Sequence, residues 1–252
     1  MNNINISAAI LTKNEEKNIR ECMRSLSFCE EVLLVDDYST DSTRVVAKKL
    51  GAKIFRRKLD SDFASQRNFA LRNVQGKWVL FVDGDERISS LLRDEIIQLI
   101  NNSISQYIGF YIKRIDNIWG KELRYGETGN IKLLRLAKRN AGKWRRMVHE
   151  YWDVRGKIGV LKNPIIHYPH QTLREFIGDV DYFSTLHAQA NQEEGKKSSI
   201  FKIIFFPIVK FIDNYFLKLG FQDGVHGFIH ALVMSFHSYL SWGKLWILQK
   251  KN

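Results

Sequence analysis

Trp78-Val79-Leu80-Phe81-Val82-Asp83-Gly84-Asp85-Glu86 decides how the rest of the chain is read. It opens on an apolar run suited to a buried strand, and then carboxylates arrive abruptly. A buried strand needs the first part and has no use for the second. The C-terminal end of such a strand delivers Asp83 and Asp85 to a crevice, the place where open α/β sheets bind ligands. Two carboxylates one residue apart repel each other unless something positive sits between them. A divalent cation meets that need, and oxygen ligands favour Mg²⁺ or Mn²⁺. Mg²⁺ held by one or two carboxylates takes its remaining ligands from phosphates and water, so the stretch reads as a metal–diphosphate site. The competing reading is a solvated acidic turn, because Asp-Gly is a common turn dipeptide.

Upstream, Ile4 to Leu11 reads as a first strand with small residues at its centre. Thr12-Lys13-Asn14-Glu15-Glu16 follows, then a helical pattern through Ile19, Cys22, Met23 and Leu26. Thr12 or Asn14 is positioned to cap that helix, or the loop lies above the strand and contacts a nucleotide. Glu31 to Asp36 is a second strand of the near-continuous apolar kind that parallel sheets bury, and it also ends in carboxylates, Asp36 and Asp37. Ser39 to Ser42 offers N-caps for a helix through Val45, Val46, Lys49 and Leu50, stopped by Gly51. Lys53–Arg56 is a short strand, and Phe63 to Val74 has helical spacing. Arg67 on that helix belongs either to a solvated face or to a phosphate or base contact, for which its planar fork is well shaped. A helix over Ile88 to Ile100, capped by Ser89 or Ser90, completes a β-α-β-α-β-α-β-α order in about 100 residues, the pattern of a mostly parallel α/β layer. Two strands ending in acidic pairs at one edge place Asp36, Asp37, Asp83 and Asp85 around one crevice.

The length of 252 residues suits one large domain or a domain with an appendage. Cys22 and Cys29 form no CxxC pair, which argues for a reducing compartment and against a thiolate zinc site or disulfide framework; both read as small apolar residues. The N-terminus lacks a basic region followed by an apolar run, so no secretory signal is expected. The net charge is +12. From Lys196 to Asn252 there are eight lysines against two aspartates, a net +6 in an otherwise strongly apolar segment. Basic plus apolar points to an anionic membrane surface more than to nucleic acid. No run is long and apolar enough for a span.

Four motifs come in a telling order: Leu11–Glu16, Val35–Asp41, Gln66–Leu71 and Phe81–Glu86. Together they resemble the family 2 inverting glycosyltransferases, and more narrowly the lipopolysaccharide core-biosynthesis, β-1,4-glucosyltransferase type. Gly142-Lys143-Trp144 with Val148-His149-Glu150, Leu161–Pro164 with Ile166-His167-Tyr168, and Leu217–Gly224 extend the resemblance over essentially the whole chain. The resemblance implies a GT-A fold, in which a mostly parallel nucleotide-binding sheet is followed by an acceptor-binding half. It implies that Thr12, Glu15, Asp36, Asp37, Arg67 and Asp83 surround the nucleotide, and that Asp83 and Asp85 hold a Mg²⁺ or Mn²⁺ ion.

An inverting transfer is one in-line displacement and needs a carboxylate to take the proton of the acceptor hydroxyl. Glu127, Glu150 and Asp153 are the candidates. The pattern of relatives carries an aspartate just before Lys132–Leu136, where this chain has Asn130, which cannot act as that base. Glu150 is favoured, with Glu127 close behind. Trp144-Arg145-Arg146 reads as an aromatic and basic stretch suited to sugar rings and phosphates, or as a solvated basic face. Leu173 to Gln189, capped by Thr172 with Glu175 at N3, reads as a helix. After a joint at Gly195–Ser199, Ile200–Leu219 and Phe228–Leu248 read as two amphipathic helices lying on a membrane rather than crossing it.

The expected organisation is therefore 1–105 for the nucleotide sugar, 106–170 for acceptor and catalysis, and 171–252 for C-terminal amphipathic helices. The expected activity is metal-assisted transfer of a hexose, with UDP-glucose as the expected donor, to a lipooligosaccharide core or lipid-linked glycan. It takes place on the inner face of the cytoplasmic membrane, with the protein peripheral and no nucleic acid partner. One alternative is a sugar-nucleotidyltransferase, against which the absence of a glycine-rich loop after the first strand counts. Another is a non-catalytic basic membrane-surface or nucleic-acid-binding protein, which leaves four carboxylates at strand ends unexplained. A dinucleotide oxidoreductase is disfavoured by the lack of GxGxxG after the first strand.

Overall fold

The computed structural model describes residues 5–101, 106–147, 150–170 and 172–251. The chain forms two compact units, Met1–Arg114 with Lys132–His167, and Ile115–Ile131 with Tyr168–Asn252. The segment 106–170, expected as one acceptor half, is shared between the two.

The first unit is built on β1 (Ile6–Thr12), β2 (Glu31–Asp36), β3 (Lys53–Arg56) and β4 (Trp78–Asp83), parallel in the order β3-β2-β1-β4. Helices α1 (Ile19–Ser25), α2 (Thr43–Lys49) and α3 (Phe63–Asn73) connect them, as the alternating pattern requires. After β4 the chain makes a short strand that the sequence did not announce, β5 (Glu86–Ile88), and then α4 (Ser90–Asn101). Ser89 Oγ accepts the Leu92 N–H at 3.2 Å, the cap expected there. β6 (Gly109–Ile118) crosses from the first unit into the second, where it pairs with β7 (Lys121–Leu123). Back in the first unit, β8 (Lys132–Lys138) lies antiparallel to both β4 and β6 and turns the sheet from parallel to mixed. The two-stranded sheet of β9 (Gly142–Arg145) and β10 (Tyr151–Val154) follows. β11 (Ile158–Val160) then runs beside β6, and β12 (Ile165–His167) pairs antiparallel with β5.

Alternation along the buried strands splits the core between the two faces of the sheet. Ile6, Ala8, Ile10, Leu80 and Val82 pack with Ile19, Cys22 and Leu26 of α1's side and with Leu92 and Ile96 of α4. Ala9, Leu11, Val79 and Phe81 pack with Ala64, Ala70 and Leu71 of α3 and with Trp144 and Trp152. Both faces are covered, so β1 is buried at all seven positions and its sequence, Ile-Ser-Ala-Ala-Ile-Leu-Thr, shows no alternation of apolar and charged residues. Both cysteines are free thiols, with Cys22 in the core and Cys29 packed against it.

Phe81 anchors the second face. It is fully buried, with its ring edge-on to Trp144 at 5.0 Å and to Trp152 at 5.1 Å. Truncation would leave a cavity between two indoles that hold each other stacked at 5.4 Å and have little room to collapse. Phe81→Ala is expected to lower stability by about 3–5 kcal/mol in urea unfolding. A loss below about 1 kcal/mol would show that the face repacks.

The second unit is helical. α5 (Leu173–Glu193) starts on the expected cap: Thr172 Oγ1 accepts the Glu175 N–H and Glu175 Oε2 accepts the Thr172 N–H, both at 3.1 Å. α6 (Ile200–Ile212) contains Pro207, and the expected continuous helix to Leu219 instead passes into a π-helical turn over Asp213–Leu217. α7 (Gly224–Lys251) packs along both α5 and α6. Phe176, Val180 and Val233 form the small core, with Trp119, Ile229, Met234 and Leu240 around it. Among the described residues no helix is long and apolar enough to cross a membrane.

Candidate active site

Parallel pairing fixes three site residues side by side. Thr12 ends β1 opposite Asp36 at the end of β2, and Leu11 lies opposite Asp83 at the end of β4. Neighbouring strands sit about 4.8 Å apart, so the C-terminal edge of the sheet gathers these groups whatever the loops do.

The loops after β1 and β2 are zipped together through backbone N–H groups. Asn14 donates to Ser39 Oγ at 2.8 Å, Glu15 to Thr43 Oγ1 at 2.7 Å and Glu16 to Asp41 Oδ2 at 3.0 Å. Thr12 and Asn14 therefore do not cap α1, which begins at Ile19 with no side-chain cap; Asn14 Oδ1 accepts the Thr40 N–H at 2.8 Å instead. Asp36 is fully buried, with Oδ2 accepting the Ser39 N–H and Oδ1 without a hydrogen-bond partner. Asp37 is pinned at both oxygens, by the Leu59 N–H at 2.9 Å and Lys13 Nζ at 2.8 Å. The Thr12 hydroxyl is buried and also without a partner. Buried oxygens left without protein partners at a strand edge are where a ligand's donors would be accepted.

Asp83 and Asp85, expected as a matched pair of metal ligands, have different surroundings. Both oxygens of Asp83 are taken by guanidinium groups: Oδ1 by Arg67 Nη2 at 2.9 Å and Oδ2 by Arg135 Nη2 at 2.6 Å. Burial opposes its charge, but Arg135 and Arg67 outweigh it and hold the carboxyl far below its ordinary range. The backbone N–H of Asp83 donates to Glu86 Oε2 at 2.9 Å. Glu86 is fully buried, and that burial pushes its carboxyl up, against the pull of Arg135.

Arg67 is 3% exposed and lies over the Trp144 ring at 4.8 Å. Its Nε donates to Glu150 Oε1 at 2.8 Å, while Nη1 is buried without a partner. One guanidinium thus joins Asp83 at the sheet edge to Glu150, the favoured base. Trp144 is 6% exposed and packed between Phe81, Trp152 and Arg67, so its faces are not open to a sugar ring as the sequence suggested.

Asp85 faces a different partner. Its Oδ2 lies 3.1 Å from His167 Nε2, and the β5–β12 pairing, which sets Glu86 opposite His167, brings them together. Glu15 comes in from the first loop: a Cβ on Gly84 would stand 2.9 Å from Glu15 Cγ and 3.0 Å from Thr12 Oγ1, so only glycine lets the loops close. Burial and the nearby Asp85 charge push the Glu15 carboxyl up to about 7. A carboxylate oxygen and an imidazole nitrogen at contact distance, beside a second carboxyl that resists ionising, fit a divalent cation such as Mn²⁺. Among the described residues no three such groups converge as a complete ligand set.

The remaining candidates lie elsewhere. Glu127 belongs to the second unit, where Lys210 Nζ donates to Oε1 at 2.8 Å and Asn214 Nδ2 to Oε2 at 3.3 Å. Burial works against its charge, yet these partners hold its carboxyl low. Asp153 is on β10, in an exposed pair with Arg145 at 3.1 Å. His149 is outside the described residues. Sequence reading gave no role to Arg135, Glu86 or His167. Arg135 had a signal, a charge inside the apolar run Leu133-Leu134-Arg135-Leu136-Ala137.

Comparison with known proteins gives the chain that carries this strand-edge acidic pair a family. The family model described as Glycosyl transferase family 2 matches residues 7–155. The chain belongs to glycosyl transferase family 2. The matched range thus runs from β1 through β10 and contains every site residue above except His167. The chain is 29% identical over 248 residues to the lipopolysaccharide core biosynthesis glycosyltransferase LpsC of Rhizobium meliloti, covering 96% of this chain and 92% of that one. It is 28% identical to an uncharacterized glycosyltransferase of Rickettsia typhi, covering 98% and 88% of the two. Glucosyl-3-phosphoglycerate synthase of Mycobacterium tuberculosis, solved with phosphoglyceric acid, superposes with a TM-score of 0.51 at 16% identity, over 77% of this chain and 81% of that one. The likeness bears out the expected GT-A fold. Family membership settles the class of reaction as glycosyl transfer, against nucleotidyl transfer and a non-catalytic role.

Proposed function

We propose that this family 2 enzyme transfers a hexose, glucose from UDP-glucose, with inversion to a lipooligosaccharide core or lipid-linked glycan, at the inner face of the cytoplasmic membrane. The observation that carries the reading is the Asp83–Arg67–Glu150 chain beside the Asp85–His167 pair. This arrangement supports a reading in which Glu150 is the proton acceptor and Asp85 with His167 the cation-binding pair. The relative from Rhizobium meliloti is named for lipopolysaccharide core biosynthesis, which supports the acceptor class. The Mycobacterium tuberculosis synthase has also been solved with Mn²⁺ and UDP, at a TM-score of 0.50, which supports a UDP donor and a divalent ion.

In this reading Thr12, Glu15, Asp36 and Asp37 line the nucleoside end, where buried oxygens accept donors of base and ribose. Asp83, with Arg67 and Arg135, fixes the edge of the diphosphate site. Asp85 and His167 would hold Mg²⁺ or Mn²⁺, which supplies neutralisation of the departing diphosphate. Glu150 takes the proton from the acceptor hydroxyl as that oxygen bonds to the anomeric carbon, and the bond from that carbon to the diphosphate oxygen breaks with its electron pair leaving on UDP. Arg67 orients Glu150 through Nε. The domains divide this labour, with 1–105 taking the donor, 106–170 the acceptor and 171–252 the membrane.

The test is turnover with UDP-hexoses and a lipooligosaccharide acceptor in Mn²⁺, with the anomeric configuration of the product read by proton NMR. UDP-glucose is expected to give a β-linked product. An α-linked product would overturn inversion, and turnover only with a different nucleotide sugar would overturn the donor.

A further inference from the structure

The second unit carries far more apolar surface than its own fold uses. In α6, eight large apolar side chains are exposed and no residue is buried. Ile200, Phe201, Ile204, Phe205, Ile208, Val209 and Ile212 recur at helical spacing, so they form one stripe along the helix. The other side of α6 meets α7: Phe206 packs edge-on to Trp242 at 5.2 Å, Ser235 Oγ donates to the Pro207 carbonyl at 2.7 Å, and Phe211 touches Phe228 at 5.9 Å. These contacts make the helices an antiparallel pair. α7 has a second stripe, Val225, Phe228, Leu232, Phe236 and Tyr239, all exposed by 42% or more. Its opposite face is satisfied by α5, through Phe176 against His230 and Lys244 Nζ bonded to Ser184 and Thr185. The two stripes present on the order of 1,000 Å² of apolar surface, well beyond the few hundred that monomeric soluble proteins expose in one patch.

Charge selects the occupant. The ends of α6 and α7 are tied where the Ser198 N–H donates to Gln249 Oε1 at 3.0 Å and Gln249 Nε2 donates to the Lys196 carbonyl at 2.7 Å. Lys196, Lys197, Lys202 and Lys250 gather at this end with two indoles, Lys202 Nζ standing 4.8 Å over Trp242 and Lys250 Nζ 5.6 Å over Trp246. Apolar stripes ending in lysines and tryptophans match the layering of a bilayer surface, acyl region against the stripes and headgroups against the basic end. The segment from Lys196 carries a net +6, so a second copy would bring the same sign of charge, whereas anionic headgroups bring the opposite one.

We infer that the paired outer faces of α6 and α7 are a docking surface for an anionic lipid bilayer, with Lys196, Lys197, Lys202 and Lys250 at the headgroups. This deepens the proposed function and rests on it for the membrane location of the acceptor; the surface itself is read from the helices.

The test is flotation of the full chain with phosphatidylcholine vesicles, neutral or containing roughly a third phosphatidylglycerol, beside calorimetric UDP binding in solution. The wild type is expected to float with the anionic vesicles and at least ~10-fold less with neutral ones. Phe205→Glu with Val209→Glu, both at exposed sites, is expected to reduce flotation at least ~10-fold while the circular dichroism spectrum and UDP affinity are kept. Lys197→Glu with Lys250→Glu is expected to remove the preference for anionic lipid. Failure of the wild type to float, or flotation undiminished in the Phe205/Val209 variant, would overturn the inference. So would a dimer in light scattering that those substitutions dissociate, in a chain that ignores vesicles. Flotation as expected in a chain that binds no UDP would sink the donor reading and leave this surface standing.

Discussion

Asp85→Ala is expected to abolish metal-dependent UDP binding and to lower kcat/KM by about a thousandfold or more, while the protein stays folded. The magnitude follows from the several kcal/mol that a divalent ion supplies to a developing diphosphate charge, at 1.36 kcal/mol for each tenfold. The stability expectation follows from geometry. Asp85 is opposed by one histidine and lies beside a carboxyl, Glu15, that its charge already disfavours, so removing it relieves repulsion inside the folded protein. Asp83, two residues away, makes the opposite case. Its oxygens neutralise Arg67 and Arg135, which are 3% and 4% exposed, and Asp83→Asn would leave two buried guanidinium groups short of their counter-charge. Breaking a buried pair by removing one partner costs about 3–5 kcal/mol, so Asp83→Asn is expected to register first as lost stability. The measurement is calorimetric titration of UDP with and without Mn²⁺, with urea unfolding of each variant. If Asp85→Ala kept Mn²⁺-dependent UDP binding, the cation would belong elsewhere.

These two aspartates also mark how far the sequence could be read. The strand before them was legible because a central parallel strand is buried on both faces and cannot alternate, so Trp78–Val82 is continuously apolar and its boundary with Asp83 is sharp. The same physics exposed β2 and its terminal Asp36. Sharing a strand edge follows from parallel topology alone, which is why Thr12, Asp36 and Asp83 could be placed together. What separates Asp83 from Asp85 is contact with residues far along the chain, Arg135 at 52 and His167 at 82 positions away. No local pattern encodes those pairings. They depend on β8 adding antiparallel to β4 and on β12 finding β5, a three-residue strand too short for periodicity to show. Trp144 failed for a related reason: an aromatic beside two arginines looks like a sugar platform until the sheet places Phe81 against it. The start of α5 was legible, since Thr172 and Glu175 carry a capping box in the sequence itself.

The choice of base turns on a comparison that the structure makes sharp. Glu150→Gln is expected to reduce kcat by about 10²–10⁴, the range for loss of general base catalysis, with UDP affinity changed by no more than about threefold. Glutamine keeps an oxygen for Arg67 Nε, so the guanidinium retains a hydrogen bond there and its link to Asp83 survives. The deficit then falls on proton removal and appears in kcat rather than in donor binding. Glu127→Gln should behave as a structural change. Its carboxylate is committed to Lys210 and Asn214, and with about a third of the side chain exposed at each end of the Lys210 pair, screening limits the loss to about 1 kcal/mol. Its kcat is expected to stay within about threefold of wild type. The reverse pattern, turnover lost in Glu127→Gln and kept in Glu150→Gln, would move the base into the second unit and reduce Glu150 to a partner of Arg67. Adding acetate or formate to Glu150→Ala supplies a further discrimination, because an external carboxylate restores proton transfer but cannot restore a missing structural contact. Rescue of kcat without a change in UDP affinity is the outcome that assigns Glu150 to the proton and Arg67 to holding it in place.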